Sequence, residues 1–184
     1  MPMQIVFSRK GFDSALGGSP SPIIDGRPVS IPIPTAGRSK TTCGDLGLGP
    51  IVHRATSGRL NGADLCHHDP MFEQGRCAVG QTEAAQSHLD NNGTGIGDVF
   101  LFFGLFSDSA RVHPHHRIFG YLEVTHVTKP GAAPDRDRQL LGCIATGPGC
   151  ALWRGHRRRR LNPAKRGDSR LSVAPRGERS GLAP

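Results

Sequence analysis

Four groups of polar residues in this 184-residue chain have types and spacings that could do chemistry. Arg9, Lys10 and Asp13 follow directly on a short apolar run, Met3 to Phe7. A guanidinium offers a rigid fork of donors and an ammonium a point charge. Arg9 and Lys10 therefore suit a phosphate or a base carbonyl, with Asp13 orienting one of them or accepting a base N–H. An ordinary salt-bridged loop would use the same residues. His67, His68 and Asp69 form the second group. Imidazole and carboxylate suit zinc or iron, but a third ligand at recognisable spacing is missing, so no metal is assigned. His67 with Asp69 can also be read as an acid–base pair, against the alternative of a loop histidine beside the Asp69-Pro70 turn.

The third group, Gln81, Gln86 and His88, surrounds a short helical pattern. Amide side chains read base edges through paired donor and acceptor, which makes Gln86 a candidate for nucleobase recognition and His88 a candidate for proton transfer. Two residues along a helix are about 200° apart, so Gln86 and His88 cannot both face one pocket. His113, His115 and His116 with Arg111 and Arg117 make a basic stretch that could clamp phosphate, or simply be a solvated loop. Ser8 lies beside the first group, and Phe12 or Tyr121 could supply an aromatic wall for a stacked base. Asp98 is expected to hold a corner through backbone amides. No phosphate loop, dinucleotide fingerprint or serine–histidine–aspartate order is present; the Gly93 to Gly97 segment follows a helix and precedes a strand, the reverse of a phosphate loop.

The elements that must position these groups are unevenly legible. Six of the ten aromatic residues fall between Phe100 and Tyr121. There an unbroken apolar run, Val99 to Phe103, predicts a strand covered on both faces. A returning strand, Ile118 to Val124, predicts Ile118, Gly120, Leu122 and Val124 on one face, opposite Phe119, Tyr121 and Glu123. Met3 to Phe7 suits a buried first strand. Asp25-Gly26 supplies the positive φ angles of a two-residue hairpin turn between Ile23-Ile24 and Arg27 to Ile33, and Pro28, Pro32 and Pro34 confine the second arm to an edge. Short helical turns are expected around Ile51-Val52 and Asp69 to Glu73, and a helix over Thr82 to Asn91 ended by Asn92-Gly93.

The formal charge of +8 is carried by the last 34 residues, where nine Arg and one Lys face only Asp168 and Glu178; the preceding body is neutral. Bulk electrostatics therefore says little about what the body binds. From about residue 135 the patterning fails, giving an expected division into 1–134 and 135–184. The segment from Ala151, with Arg157 to Arg160, has no apolar periodicity that would offset the entropy of ordering it. A disordered phosphate-gripping arm, a solvated tail and a stretch read out of frame all fit, and the abrupt loss of patterning favours the last. Five cysteines without a CxxC pair and a start lacking a secretory apolar core imply a cytoplasmic protein with reduced thiols. No run approaches the length of a spanning helix.

Phe7 to Ser14, Gly80-Gln81 through Ala84 to Asn91, and Gly97 to Gly104, occurring in that order, resemble the nucleotide modification associated domain 3 family. His67-His68-Asp69-Pro70 is similar to that family's short His-x-Asp-Pro motif. The resemblance covers about residues 3–127. It implies a bacterial or phage protein that works on or with a DNA base, with nucleic acid or a nucleotide as partner and no membrane; it names no cofactor. A helix, a Gly-Asp corner, an apolar strand and a strand ending Gly-aromatic-Leu-Glu-Val also look like the core of PUA-like barrels, including ASCH and EVE domains. The expectation is an α+β fold: a curved, mainly antiparallel sheet or partial PUA-like barrel with a few short helices. A base would sit in a cleft between the Ser8–Ser14 loop and the Gln81–Asn91 helix. There it would be acted on by an enzyme using His67/Asp69 or His88 with Arg9/Lys10, be read without chemistry, or be missed altogether by an inactive relative.

Overall fold

The computed structural model describes residues 2–13, 15–36, 39–73, 76–108, 113–129 and 151–156. Ser14, Arg111, Cys143, Cys150 and the Arg157 to Arg160 run lie outside the described residues. In chain order the elements are β1 (Ile5–Arg9), β2 (Ser21–Ile24), β3 (Arg27–Pro28), α1 (Gly49–Ala55), β4 (Met71–Glu73), β5 (Arg76–Gln81), α2 (Glu83–Asn91), β6 (Val99–Ser107), β7 (His115–Thr128) and β8 (Ala151–His156). Among the described residues the strands form one mixed, curled sheet in the order β3-β2-β6-β7-β8-β5-β4, with β1 also paired to β6. The result is an α+β half-barrel.

The long strand β6 is the template for the rest. Its first half pairs in parallel with β1, from Ile5 opposite Val99 to Arg9 opposite Phe103. The end of the same edge takes β2, with Ser21 opposite Phe106, while the other edge pairs antiparallel with β7. Burial along β6 alternates strictly. Phe100, Phe102 and Phe106 are fully buried, whereas Val99, Leu101, Phe103 and Leu105 between them are only half-buried. The expectation that both faces of Val99 to Phe103 are covered is thus corrected: the pleat sends odd and even residues to opposite faces, and only the even face is buried among the described residues.

In β7 the expected alternation also fails, at one residue. The β6–β7 register shifts between Phe102 and Phe103, so that Gly120 lies opposite Phe102 and Ile118 opposite Phe103, leaving Phe119 as an extra residue. Such a bulge puts two successive side chains on one side. Phe119 packs inward on Phe72, Phe102 and Phe106, and Ile118, expected on the face of Leu122 and Val124, is 54% exposed while those two are buried. Gly120 faces the ring of Phe72, where a Cβ would lie 2.5 Å from Cζ. Phe72, from the far edge strand β4, also meets Phe102 edge-on with ring centroids 5.8 Å apart. These contacts carry the curl from β4 back over β6 and β7. The segment Asp69 to Glu73, expected as a helical turn, is a cis Asp69-Pro70 turn leading into that strand.

Two cores result. The first joins Cys77 and Val79 of β5, Leu89 of α2, Phe100 and Phe102 of β6, Leu122 and Val124 of β7, and Ala151 and Trp153 of β8. The second, under the loops, joins Phe12, Ile31, Cys43, Val52 and Cys66. β8 comes from the segment whose composition suggested a tail without structure. It is instead an inner strand between β7 and β5, and Trp153 is among the largest fully buried side chains. Its three-residue apolar run is too short to show periodicity, yet burying an indole and a Leu is worth several kcal/mol. The Asp25-Gly26 turn forms as expected, with φ of 49° and 70°, although its second arm, β3, is only two residues long. No described helix is long and apolar enough to cross a membrane.

Gly155 offers a sharp check on this arrangement, because any Cβ there would overlap the carbonyl oxygen of Glu123 on β7. Gly155→Ala is expected to cost about 3 kcal/mol or more, at the upper end of overpacking effects, since backbone cannot move aside cheaply. Urea denaturation measures it. A loss below about 1 kcal/mol would mean that β8 does not pair with β7 as described.

Candidate functional site

The polar residues of the first loop separate into two ion pairs on different sides of β1. Ile5, Phe7 and Arg9 alternate outward, whereas Ser8 is buried. Arg9, its side chain 50% exposed, reaches back to Asp13 at 2.9 Å. Asp13 is fully engaged by its own loop. One carboxylate oxygen accepts the amides of Ala15 and Leu16 at 2.8 and 2.6 Å. The Leu16 amide above all, then the Ala15 amide and Arg9, hold this carboxyl below the usual carboxylate range against the opposing effect of burial. Asp13 is therefore a loop-former that orients Arg9.

Lys10 turns inward. Its Nζ contacts Asp69 Oδ2 at 2.5 Å, with side chains only 11% and 14% exposed. The other oxygen of Asp69 accepts the amide of Gly80 at 3.0 Å, and the Lys10 amide donates to the carbonyl of Phe103. Gly104 makes room for this crossing, since a Cβ there would lie 2.7 Å from the Lys10 carbonyl oxygen. The pair fastens the loop after β1 to the turn before β4 and to β5. Asp69, with one oxygen on Lys10 and the other on Gly80, is placed as a clamp. The amide of His67 donates to Ile33 and its carbonyl accepts from Asp69, which fixes the backbone of the His67 to Pro70 turn.

On the helix α2 the two candidate side chains point different ways. Gln86 is buried in the first core, where its Oε1 accepts from Trp153 Nε1 at 3.1 Å and its Nε2 donates to Asp90 at 2.8 Å. Sequence reading placed this amide at a base edge; instead it satisfies the indole N–H that β8 buries. His88 is exposed on the other side of α2, as the helical period requires. Gln81 ends β5 opposite Ala151. Phe12, taken as a stacking wall, is 1% exposed in the second core, with Gly17 against its ring. Asp98 holds its corner as expected, accepting the amides of Gln4 and Gly95 at 2.8 and 2.7 Å. Cys66 and Cys43 lie in the second core, and burial raises both thiols, that of Cys66 to about 12. Among the described residues no three His, Cys, Asp or Glu side chains lie close enough to share a metal.

What the structure does assemble is an aromatic groove on the outer face. Phe7, Phe103, His116, Arg117 and Ile118 line a depression of about 270 Å³ that is almost wholly apolar. The Phe7 and Phe103 rings meet edge-on at 6.4 Å, and His116 approaches Phe103 edge-on at 5.7 Å. Phe7 is 66% exposed. Arg117 donates from Nε to His115 Nε2 at 2.9 Å, and Arg9 sits opposite Phe103 in the β1–β6 register. Tyr121 shares this face, one row further along, opposite Leu101. Of the predicted site residues, Arg9 and Tyr121 thus belong to one surface, joined by His116 from the basic stretch; Arg117, in register with Gly104, is turned to the other face, where it meets His115. Phe7, Phe103 and Ile118 were missed as site residues. The unbroken apolar start of β1 suggested a buried strand and gave no signal that Ile5 and Phe7 face outward; the bulge that exposes Ile118 gave none either.

A family model for nucleotide modification associated domain 3 matches residues 4–160, and the chain belongs to that family. The match runs from β1 through β8, so the family's pattern extends past residue 134 and includes the strand that carries Trp153. No curated protein and no solved structure matches the chain.

Two predictions follow from the ion pairs. Asp69→Asn leaves the Lys10 ammonium buried without a counter-charge and is expected to cost about 3 kcal/mol, whereas Lys10→Met combined with Asp69→Asn restores most of that loss. A urea midpoint for Asp69→Asn within error of wild type would show that the pair carries no structural weight. Because the folded-state pKa of Asp13 lies below its ordinary 3.8, its contribution is complete above about 3.8 and disappears as pH falls through the lower folded value. Acid titration of stability should lose one carboxylate's share of pH dependence in Asp13→Asn, and an unchanged acid limb would refute the assignment.

Proposed function

We propose that this protein associates with nucleotide modification by holding a nucleobase against the outer aromatic groove, reading the base without acting on it. The observation that carries this reading is the exposed Phe7 ring beside Phe103 and His116 in a groove with Arg9 at hand. Leaving such a ring in water forgoes roughly 1.5–3 kcal/mol of burial, and a contiguous apolar patch of this kind marks a binding surface. Every base has a π-face that an aromatic ring can cover, and a guanidinium can take the attached phosphate. The family's link to modified nucleotides supplies the ligand class.

The enzymatic reading has less support. It needs His67 with Asp69, or His88, converging with Arg9 and Lys10. Lys10 does meet Asp69, whose other oxygen is taken by Gly80, but Arg9 points outward to Asp13, and His88 lies exposed on α2.

Binding of deoxynucleoside monophosphates, followed by calorimetry or by NMR shifts, tests the proposal. Phe7→Ala should weaken binding about tenfold or more. Arg9→Ala should weaken it as well, with a melting temperature nearly unchanged, since an exposed pair contributes under about 1 kcal/mol. Binding indifferent to Phe7→Ala would overturn the site, and an equal loss of fold stability in Arg9→Ala would make Arg9 structural. Nucleoside mass spectrometry of DNA from cells with and without the gene should show unchanged composition; an altered base would replace reader with enzyme.

A further inference from the structure

The outer face carries more than one ring, and the registers of three strands set them in rows. Ile5, Val99 and Glu123 form one row across β1, β6 and β7. Phe7, Leu101 and Tyr121 form the next, and Arg9, Phe103 and Ile118 the third; Leu105 and His116 form a fourth on β6 and β7. Along a strand, residues on one face recur every second position, about 6.6 Å apart. Two neighbouring rows therefore each offer an aromatic ring, Phe7 and Tyr121 in one, Phe103 in the other, with no bulky charged side chain between them.

That spacing discriminates among nucleic acids. Nucleotides in a stacked duplex strand rise about 3.4 Å each, half the row spacing, and their base faces are covered by their neighbours. Only unpaired, unstacked nucleotides can lay successive bases on successive rows, as single strands do on aromatic sheet faces. Charge gives the face a direction. Arg9 and His116 lie at the third row and beyond, where phosphates would be attracted, and Glu123 stands at the opposite end.

We infer that the ligand of this face is a single-stranded stretch of at least two nucleotides, with one base in the Phe7–Phe103 groove and its neighbour over the Phe7–Tyr121 row. This rests on the base-binding reading above and names its substrate class. The bland alternative, attraction of any nucleic acid by the arginine-rich C-terminal sequence, is separable because it depends on salt and not on rings.

The experiment measures binding of the full chain at about 0.15 M salt, a condition that weakens purely ionic attraction. The probes are thymidine monophosphate, a single-stranded octathymidylate, a mixed-sequence single strand and a blunt duplex of matching length. The single strands should bind at least tenfold tighter than the monophosphate and the duplex. Phe7→Ala and Tyr121→Ala should each cost about tenfold, Phe7→Trp should retain affinity, and Ile96→Ala, at an exposed position off these rows, should stay within twofold. Circular dichroism melts confirm that each variant is folded. If single strand and monophosphate bind equally and both still respond to Phe7→Ala, the polynucleotide assignment fails while base binding stands. Duplex binding as tight as single-strand binding, or single-strand binding unmoved by both ring variants, overturns it. If no probe responds to Phe7→Ala, both proposals fall together.

Discussion

The pleat of β6 is the constraint on which the rest of this protein depends. One nine-residue strand hydrogen-bonds β1 and β2 along one edge and β7 along the other. Its even residues, Phe100, Phe102 and Phe106, point into the half-barrel, where Phe72, Phe119, Leu122 and Trp153 close over them. Its odd residues have nowhere to go but the other face. That division fills the interior and leaves an apolar exterior in the same step, so the packing and the candidate binding surface are two sides of one strand.

Several polar groups that look chemical in isolation are engaged in fastening loops to this strand. Lys10 and Asp69 tie the end of β1 to β5 across the turn before β4. Asp13 closes its own loop, Asp98 its own corner, and Gln86 receives the indole N–H of Trp153. A buried donor or acceptor left unpaired costs about 1–3 kcal/mol, so each of these groups is accounted for by the structure before any ligand is considered. What remains available among the described residues is the opposite of a polar cleft: rings and aliphatic side chains in rows, with the Arg9 guanidinium at one end.

The strands were legible in proportion to how local their signals are. The Asp25-Gly26 turn, the α2 helix, the Asp98 corner and the existence of β6 and β7 follow from backbone preferences a few residues long. The two errors of facing have separate causes. An unbroken apolar run does not say whether its second face is covered, because coverage depends on which other elements arrive there. The inversion at Phe119 comes from a bulge, which adds a residue without leaving a compositional mark. β8 was invisible for a related reason: Ala151 to His156 is an ordinary short segment followed by a run of arginines, and only β5 and β7, with the cavity they leave for Trp153, make it a strand.

The amino-acid sequence by itself determined the family, the α+β class and the position of the aromatic strands, because those rest on residue order and short-range periodicity. Tertiary structure alone decided the site. It parted Arg9 from Lys10 through the alternation of β1, sent Gln86 and Phe12 into two different cores, and gathered Phe7, Phe103, His116 and Ile118 from three strands onto one face. Residues about a hundred positions apart become neighbours only when the registers β1–β6 and β6–β7 are set, and a shift of one residue in either would turn the rings inward and erase that surface.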